Sequence, residues 1–143
     1  MPSLFACWLI ALTLVLTPCG AKAQVLGSAD ARAVRHIVIE QLDALAVGDA
    51  QRLSETVTPA VREAFSSVGD LLALLQALYP MAYRPRQIGF APAQVLGAWA
   101  VQAVEITDQD DARWLVLFLL EQQPDATWRI GGCLAFENPW LPA

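Results

Sequence analysis

Positive charge is what this chain has least of. Lys22 is its only lysine, and nine basic side chains face fourteen acidic ones, for a net charge of −5. Such a balance repels phosphate backbones and anionic lipid surfaces, so nucleic acid is not an expected partner. Histidine is nearly missing too: His36 stands alone, and no His, Cys, Asp and Glu spacing matches a metal site or a nucleophile motif. No metal, cofactor or catalytic residue is therefore expected.

Cysteine is scarce, at Cys7, Cys19 and Cys133. The first two fall in a leader: an apolar run from Leu4 to Leu16, the helix breakers Pro18 and Gly20, and Ala21-Lys22-Ala23 as a small-x-small cleavage site. That run is shorter than the roughly 20 residues a membrane-spanning helix needs, so no membrane span is expected. Residues 1–23 read as a signal peptide cleaved near Ala23-Gln24, leaving residues 24–143 as one domain expected to be periplasmic or secreted. Cys133 then has no partner for a disulfide. Flanked by Ile130 and Leu134 in an apolar strand, it reads as a buried, inert thiol.

Against these shortages stands an apolar content of 56% with only 16% charged residues, which a disordered chain does not have. The apolar residues before Tyr79 recur with helical spacing; after Phe90 they come in strand-like runs. In the helix Ala29 to Val47, Val34, Ile37, Val38, Gln41 and Leu45 form one stripe. This places an amide, Gln41, at the centre of the inward face, where it needs a hydrogen-bond partner from the sheet, from water or from a ligand. His36 and Glu40 fall on the opposite, solvent face as an i,i+4 pair.

Gly48 ends that helix and Asp49 caps a short second one through Val57; Thr58-Pro59 starts a third through Ser66. Asp70 is expected to cap Leu71 to Leu78, a helix apolar nearly all round and so expected to be well buried, and Pro80 stops it. Strands follow: Arg86 to Phe90, then Val95 to Thr107 with Gly97 as a bend or bulge, then Trp114 to Leu120, apolar on both faces, then Thr127 to Phe136 with a bulge at Gly131-Gly132. Asp108 to Asp111 is a turn; it lacks the spread ligands and central glycine of a calcium loop. A tail from Glu137 carries Trp140, expected to pack back on the sheet. Helices followed by hairpins predict an α+β fold, with N-terminal helices packed on one face of a four-stranded antiparallel sheet, which the family resemblance given below implies is curved.

The segment between the two halves holds the candidate site. Pro85 should keep Arg84 extended, so that Arg84 and Arg86 project from one side. They are either an anion-binding pair at the mouth of a pocket or arginines holding acidic side chains of the helical layer. With Gln41, Tyr79, Tyr83 and Trp99 they make up the expected ligand-binding set.

The chain resembles a bacterial family known as domain of unknown function 4864. The resemblance is carried by Ile39-Glu40-Gln41-Leu42 with Asp49, by Tyr79-Pro80 with Tyr83-Arg84-Pro85-Arg86, and by Gln123-Pro124-Asp125 with Trp128-Arg129-Ile130 and Gly132-Cys133. It implies a cystatin-like or NTF2-like cone, often dimeric and often with a pocket between helix and sheet, and no established activity.

Two functions fit these features. One is an exported, non-catalytic module binding a small molecule, an anion if the arginines face the pocket. The alternative is a cell-envelope interaction or assembly protein that uses the apolar sheet face to form a homodimer. Enzymatic activity has little support, since Glu105, near a strand end, is the best carboxylate available.

Overall fold

The computed structural model describes residues 24–138. The leader at residues 1–23 and the tail residue Trp140 lie outside them. The first helix, α1 (Ser28–Val47), ends where Gly48 adopts φ 70°, a left-handed conformation that glycine takes without a steric penalty. The Asp49 carboxylate accepts from the Arg52 amide and starts α2 (Ala50–Glu55). The Thr58 hydroxyl accepts from the Val61 amide and starts α3 (Pro59–Glu63), with proline in the first turn. The fourth helix, α4 (Val68–Leu78), begins earlier than the sequence implied. Ser67, in an extended conformation, supplies the cap by accepting from the Asp70 amide, and Asp70 sits in the first turn, where its charge suits the helix dipole. Pro80 ends α4 but opens a further 3-10 turn, Pro80–Ala82.

Among the described residues the sheet has six antiparallel strands instead of four: β1 (Gln24–Val25), β2 (Gln87–Phe90), β3 (Gln94–Leu96), β4 (Trp99–Thr107), β5 (Arg113–Gln122) and β6 (Trp128–Glu137). Their order is β1-β3-β4-β5-β6, with β2 beside the far half of β4. The expected strand from Val95 to Thr107 is in fact a hairpin. Gly97, at φ 62°, turns the chain back so that Leu96 faces Trp99 across two residues, a conformation open to glycine and closed to most residues. β2 and β3 thus share one edge of β4, and buried Gln102 closes the gap between them by donating to the carbonyls of Ala91 and Ala103. Between β5 and β6 the register shifts at Leu119/Leu120, opposite Gly131, where the sequence anticipated a bulge.

One face of this curved sheet carries Ala100, Val104, Ile106, Val116, Phe118 and Leu120, all buried, and α1 lies across it with Val34, Val38, Leu42 and Leu45. Two polar ties hold the layers together. The Trp128 indole donates to Asp30 in the first turn of α1, and Arg52 on α2 pairs with Glu40 on α1 at 2.8 Å. Glu40 is thereby engaged by Arg52, not by His36. α4 covers less than its composition suggested: Leu71 is buried, but Leu74 and Leu78 are exposed, because nothing among the described residues packs on the outer side of that helix. The outer face of the sheet is also apolar and open, with Leu134 and Phe136 about half exposed. No helix among the described residues is long and apolar enough to cross a membrane.

Candidate functional site

A hollow of about 130 Å³ opens between α1, α4 and the bulged edge of β6. A tighter space beneath it reaches Val116 and Phe118 on the sheet floor. Gln41, Leu75, Tyr79 and Cys133 line both. The helical period of α1 brings Gln41 here, and only 4% of the residue is exposed. Its amide nitrogen donates to the Thr56 hydroxyl at 3.2 Å, and that hydroxyl donates in turn to the Leu53 carbonyl at 2.7 Å. The Thr56 backbone belongs to the same structure: the Ile130 amide donates to its carbonyl, and the Thr58 amide donates to Ile130, so the link between α2 and α3 docks along the edge of β6. Gln41 is therefore held from the helix side and from the sheet edge together.

Tyr79, at the end of α4, donates its hydroxyl to the Cys133 carbonyl at 2.9 Å. Burial pushes the Tyr79 hydroxyl above its ordinary pKa, and the neighbouring Cys133 adds to that. Burial also pushes the Cys133 thiol up to about 12, with the Tyr79 hydroxyl pulling weakly the other way. Both groups are neutral at neutral pH. No Asp, Glu, His, Lys or Arg stands among the described residues lining either space. Such a surface can enclose an apolar body and exchange hydrogen bonds with it; it has no ionised acid or base for proton transfer.

The other four expected residues lie elsewhere. Arg84 takes φ 52° instead of an extended conformation, because tertiary contacts outweigh the preference that Pro85 imposes: the Gln109 amide donates to the Arg84 carbonyl, and the Arg84 guanidinium donates to the Ala46 carbonyl. It also lies 5.3 Å from the centre of the Tyr83 ring, which is 40% exposed beside a separate surface depression with Gln76 and Pro80. Arg86 precedes β2 and pairs with Asp111 in the turn before β5. The two arginines thus fasten loops, and the acid involved belongs to a turn, not to the helical layer. Trp99 follows the parity of β4 to the outer face: its neighbour Ala100 is fully buried, while the Trp99 ring lies against Gly131, where a Cβ would come within 2.9 Å of it. Glu105 is exposed on that same outer face.

Thr56, Leu75 and Cys133 are among the lining and supporting residues that the sequence did not point to. Thr56 could have been found by asking which hydroxyl near a helix end might satisfy a buried amide on α1. Leu75 and Cys133 carry no such signal, being apolar positions among many.

The family model described as a domain of unknown function, DUF4864, matches residues 27–143. The chain belongs to the DUF4864 family. No curated protein matches it. Among solved structures, this DUF4864 chain is similar to an NTF2-like protein of unknown function from Methylobacillus flagellatus KT, at 18% identity and a TM-score of 0.57, covering 81% of this chain and 98% of that one. It is similar to an NTF-2 like protein of unknown function from Silicibacter pomeroyi DSS-3, at 16% identity and a TM-score of 0.54, covering 78% and 98%. It is also similar to a ketosteroid isomerase-like protein from Erwinia carotovora atroseptica SCRI1043, at 15% identity and a TM-score of 0.52, covering 78% and 98%. At these identities the likeness shows the fold alone, and the DUF4864 chain has an NTF2-like fold.

Proposed function

We propose that this DUF4864 protein is an exported, non-catalytic module that binds a small molecule in the hollow between α1, α4 and β6. The observation that carries the reading is the placement of Gln41, a polar side chain at the centre of an apolar helix stripe, in the wall of a cavity that Tyr79 also lines. Apolar cavities with a few convergent polar groups are the usual form of ligand sites. Export is supported by the leader pattern at residues 1–23. The described residues that line the two spaces include no carboxylate, imidazole or ammonium, which favours binding over proton transfer. A thermal-shift screen of uncharged and charged small molecules against wild type and Gln41→Leu tests the reading: hits should raise the wild-type midpoint and leave the variant, still folded, unmoved. A screen in which both proteins respond alike to every hit refutes it.

A second reading, assembly through the outer sheet face, is favoured by Leu96, Leu134 and Phe136, each about half exposed on strands β3 and β6. A second copy packed sheet against sheet would cover them. This reading is compatible with the first, because the hollow opens on the opposite face of the sheet.

A further inference from the structure

We infer that the hollow selects a neutral, largely apolar molecule whose buried part is about the size of one six-membered ring, carrying a hydrogen-bonding group, and that it rejects carboxylates and phosphates. This inference rests on the binding reading above and narrows it to one chemical class. Size comes from the volume: about 130 Å³ is close to the roughly 150 Å³ apolar cavity that accommodates benzene. Its described walls are mainly aliphatic, Val57, Leu75 and Ile130 among them, and the polar side chains they include are Gln41 and Tyr79, beside the Cys133 thiol.

Charge decides the class. A buried anion needs a counter-charge or several donors, and an unpaired one is driven to its neutral form. The two cations that could have provided the counter-charge, Arg84 and Arg86, are engaged with the Ala46 carbonyl and with Asp111 outside the hollow. The Gln41 amide already gives one hydrogen to Thr56, and the Tyr79 hydroxyl gives its only hydrogen to the Cys133 carbonyl, so few donors remain for an anion. The raised Tyr79 and Cys133 groups show that this part of the molecule penalises negative charge on its own side chains. With no carboxylate among the described lining residues, a buried cation finds no better partner.

Three probes of one shape test the class: benzamide, benzoate and benzylamine, each titrated into the purified protein while side-chain and backbone amide signals are followed by NMR. Benzamide should shift the Gln41 and Cys133 signals and bind on the order of tenfold or more tighter than either ion. Benzoate binding in the hollow as tightly as benzamide overturns the neutral class and leaves the binding reading standing. If none of the three shifts those signals at millimolar concentration, the hollow does not take a ring, and both the class and the binding reading fall.

Discussion

The side-chain amide of Gln41 donates to the hydroxyl of Thr56 across 3.2 Å, joining the middle of α1 to the segment that docks on the edge of β6. The two residues do not depend on each other equally. Without the threonine hydroxyl, a buried amide loses its partner. Without the glutamine, the hydroxyl still donates to the Leu53 carbonyl. The expected order follows: Thr56→Val destabilises by about 1 to 3 kcal/mol, Gln41→Leu by less, and the double variant recovers part of the loss. Chemical denaturation of the four proteins measures this. Equal, additive losses would mean that the bond does not couple the two elements.

Gly131 and Trp99 make a second pair, across the outer face of the sheet. A Cβ at Gly131 would fall 2.9 Å from the indole ring, whereas at Gly132 the nearest contact is 3.5 Å from the Leu119 side chain. Gly131→Ala should therefore cost about 1 to 3 kcal/mol through overpacking, and Gly132→Ala clearly less. Combining Gly131→Ala with Trp99→Leu should restore much of the loss. Thermal unfolding of this set checks the arrangement, and no rescue by Trp99→Leu would contradict it.

Much of this arrangement was legible beforehand, and the exceptions have physical reasons. The helical period of α1 placed Gln41 inward, and the caps at Gly48, Asp49 and Thr58 were read from residues whose local chemistry suffices. Trp99 was misplaced because both alternating sets of β4, Trp99-Val101-Ala103-Glu105 and Ala100-Gln102-Val104-Ile106, are mainly apolar with one polar member, so alternation alone did not say which set faces α1. Arg84 was misread because a preference of the residue before proline is weak beside two tertiary hydrogen bonds. The burial of α4 was overestimated, since an apolar circumference does not by itself supply a second layer to cover it. β1, with two residues, carries no periodic signal at all.

Raised pKa values make stability depend on pH. The folded Cys133 thiol ionises near 12, against an ordinary value of 9.0. Between those values the unfolded chain has released a proton that the folded chain retains, so unfolding is favoured progressively as pH rises from about 9 to about 12, by up to about 1.4 kcal/mol per pH unit. Tyr79, also raised, acts in the same direction. Below about pH 8 neither group contributes. Cys133→Ala should flatten the alkaline fall in stability measured by urea denaturation across this range. An equally steep fall in the variant would assign it to other groups.

Arg84 and Arg86 serve as a control on the location of the site. Because Arg84 meets the end of α1 and Arg86 the turn before β5, both at the surface, Arg86→Ala should cost no more than about 1 kcal/mol in stability, as exposed pairs generally do. Neither Arg84→Ala nor Arg86→Ala should weaken binding of a neutral ring probe. A loss of binding in either variant, with the fold intact by circular dichroism, would move the site to the segment after Tyr79.

Assembly through the outer face has its own measurement. If Leu134 and Phe136 meet a second copy, Phe136→Glu should convert a dimer to a monomer by light scattering while leaving ring-probe binding unchanged. A wild-type protein that is monomeric at high micromolar concentration would exclude this surface as a self-association site.

The sharpest test of a ligand held beside Gln41 is native mass spectrometry of the protein purified from cells of its source organism. A fraction of wild-type molecules should carry the extra mass of a small neutral compound that is released on denaturation, and Gln41→Leu should lose it. Bare polypeptide in every preparation, or a retained compound whose occupancy is untouched by Gln41→Leu, would contradict this expectation.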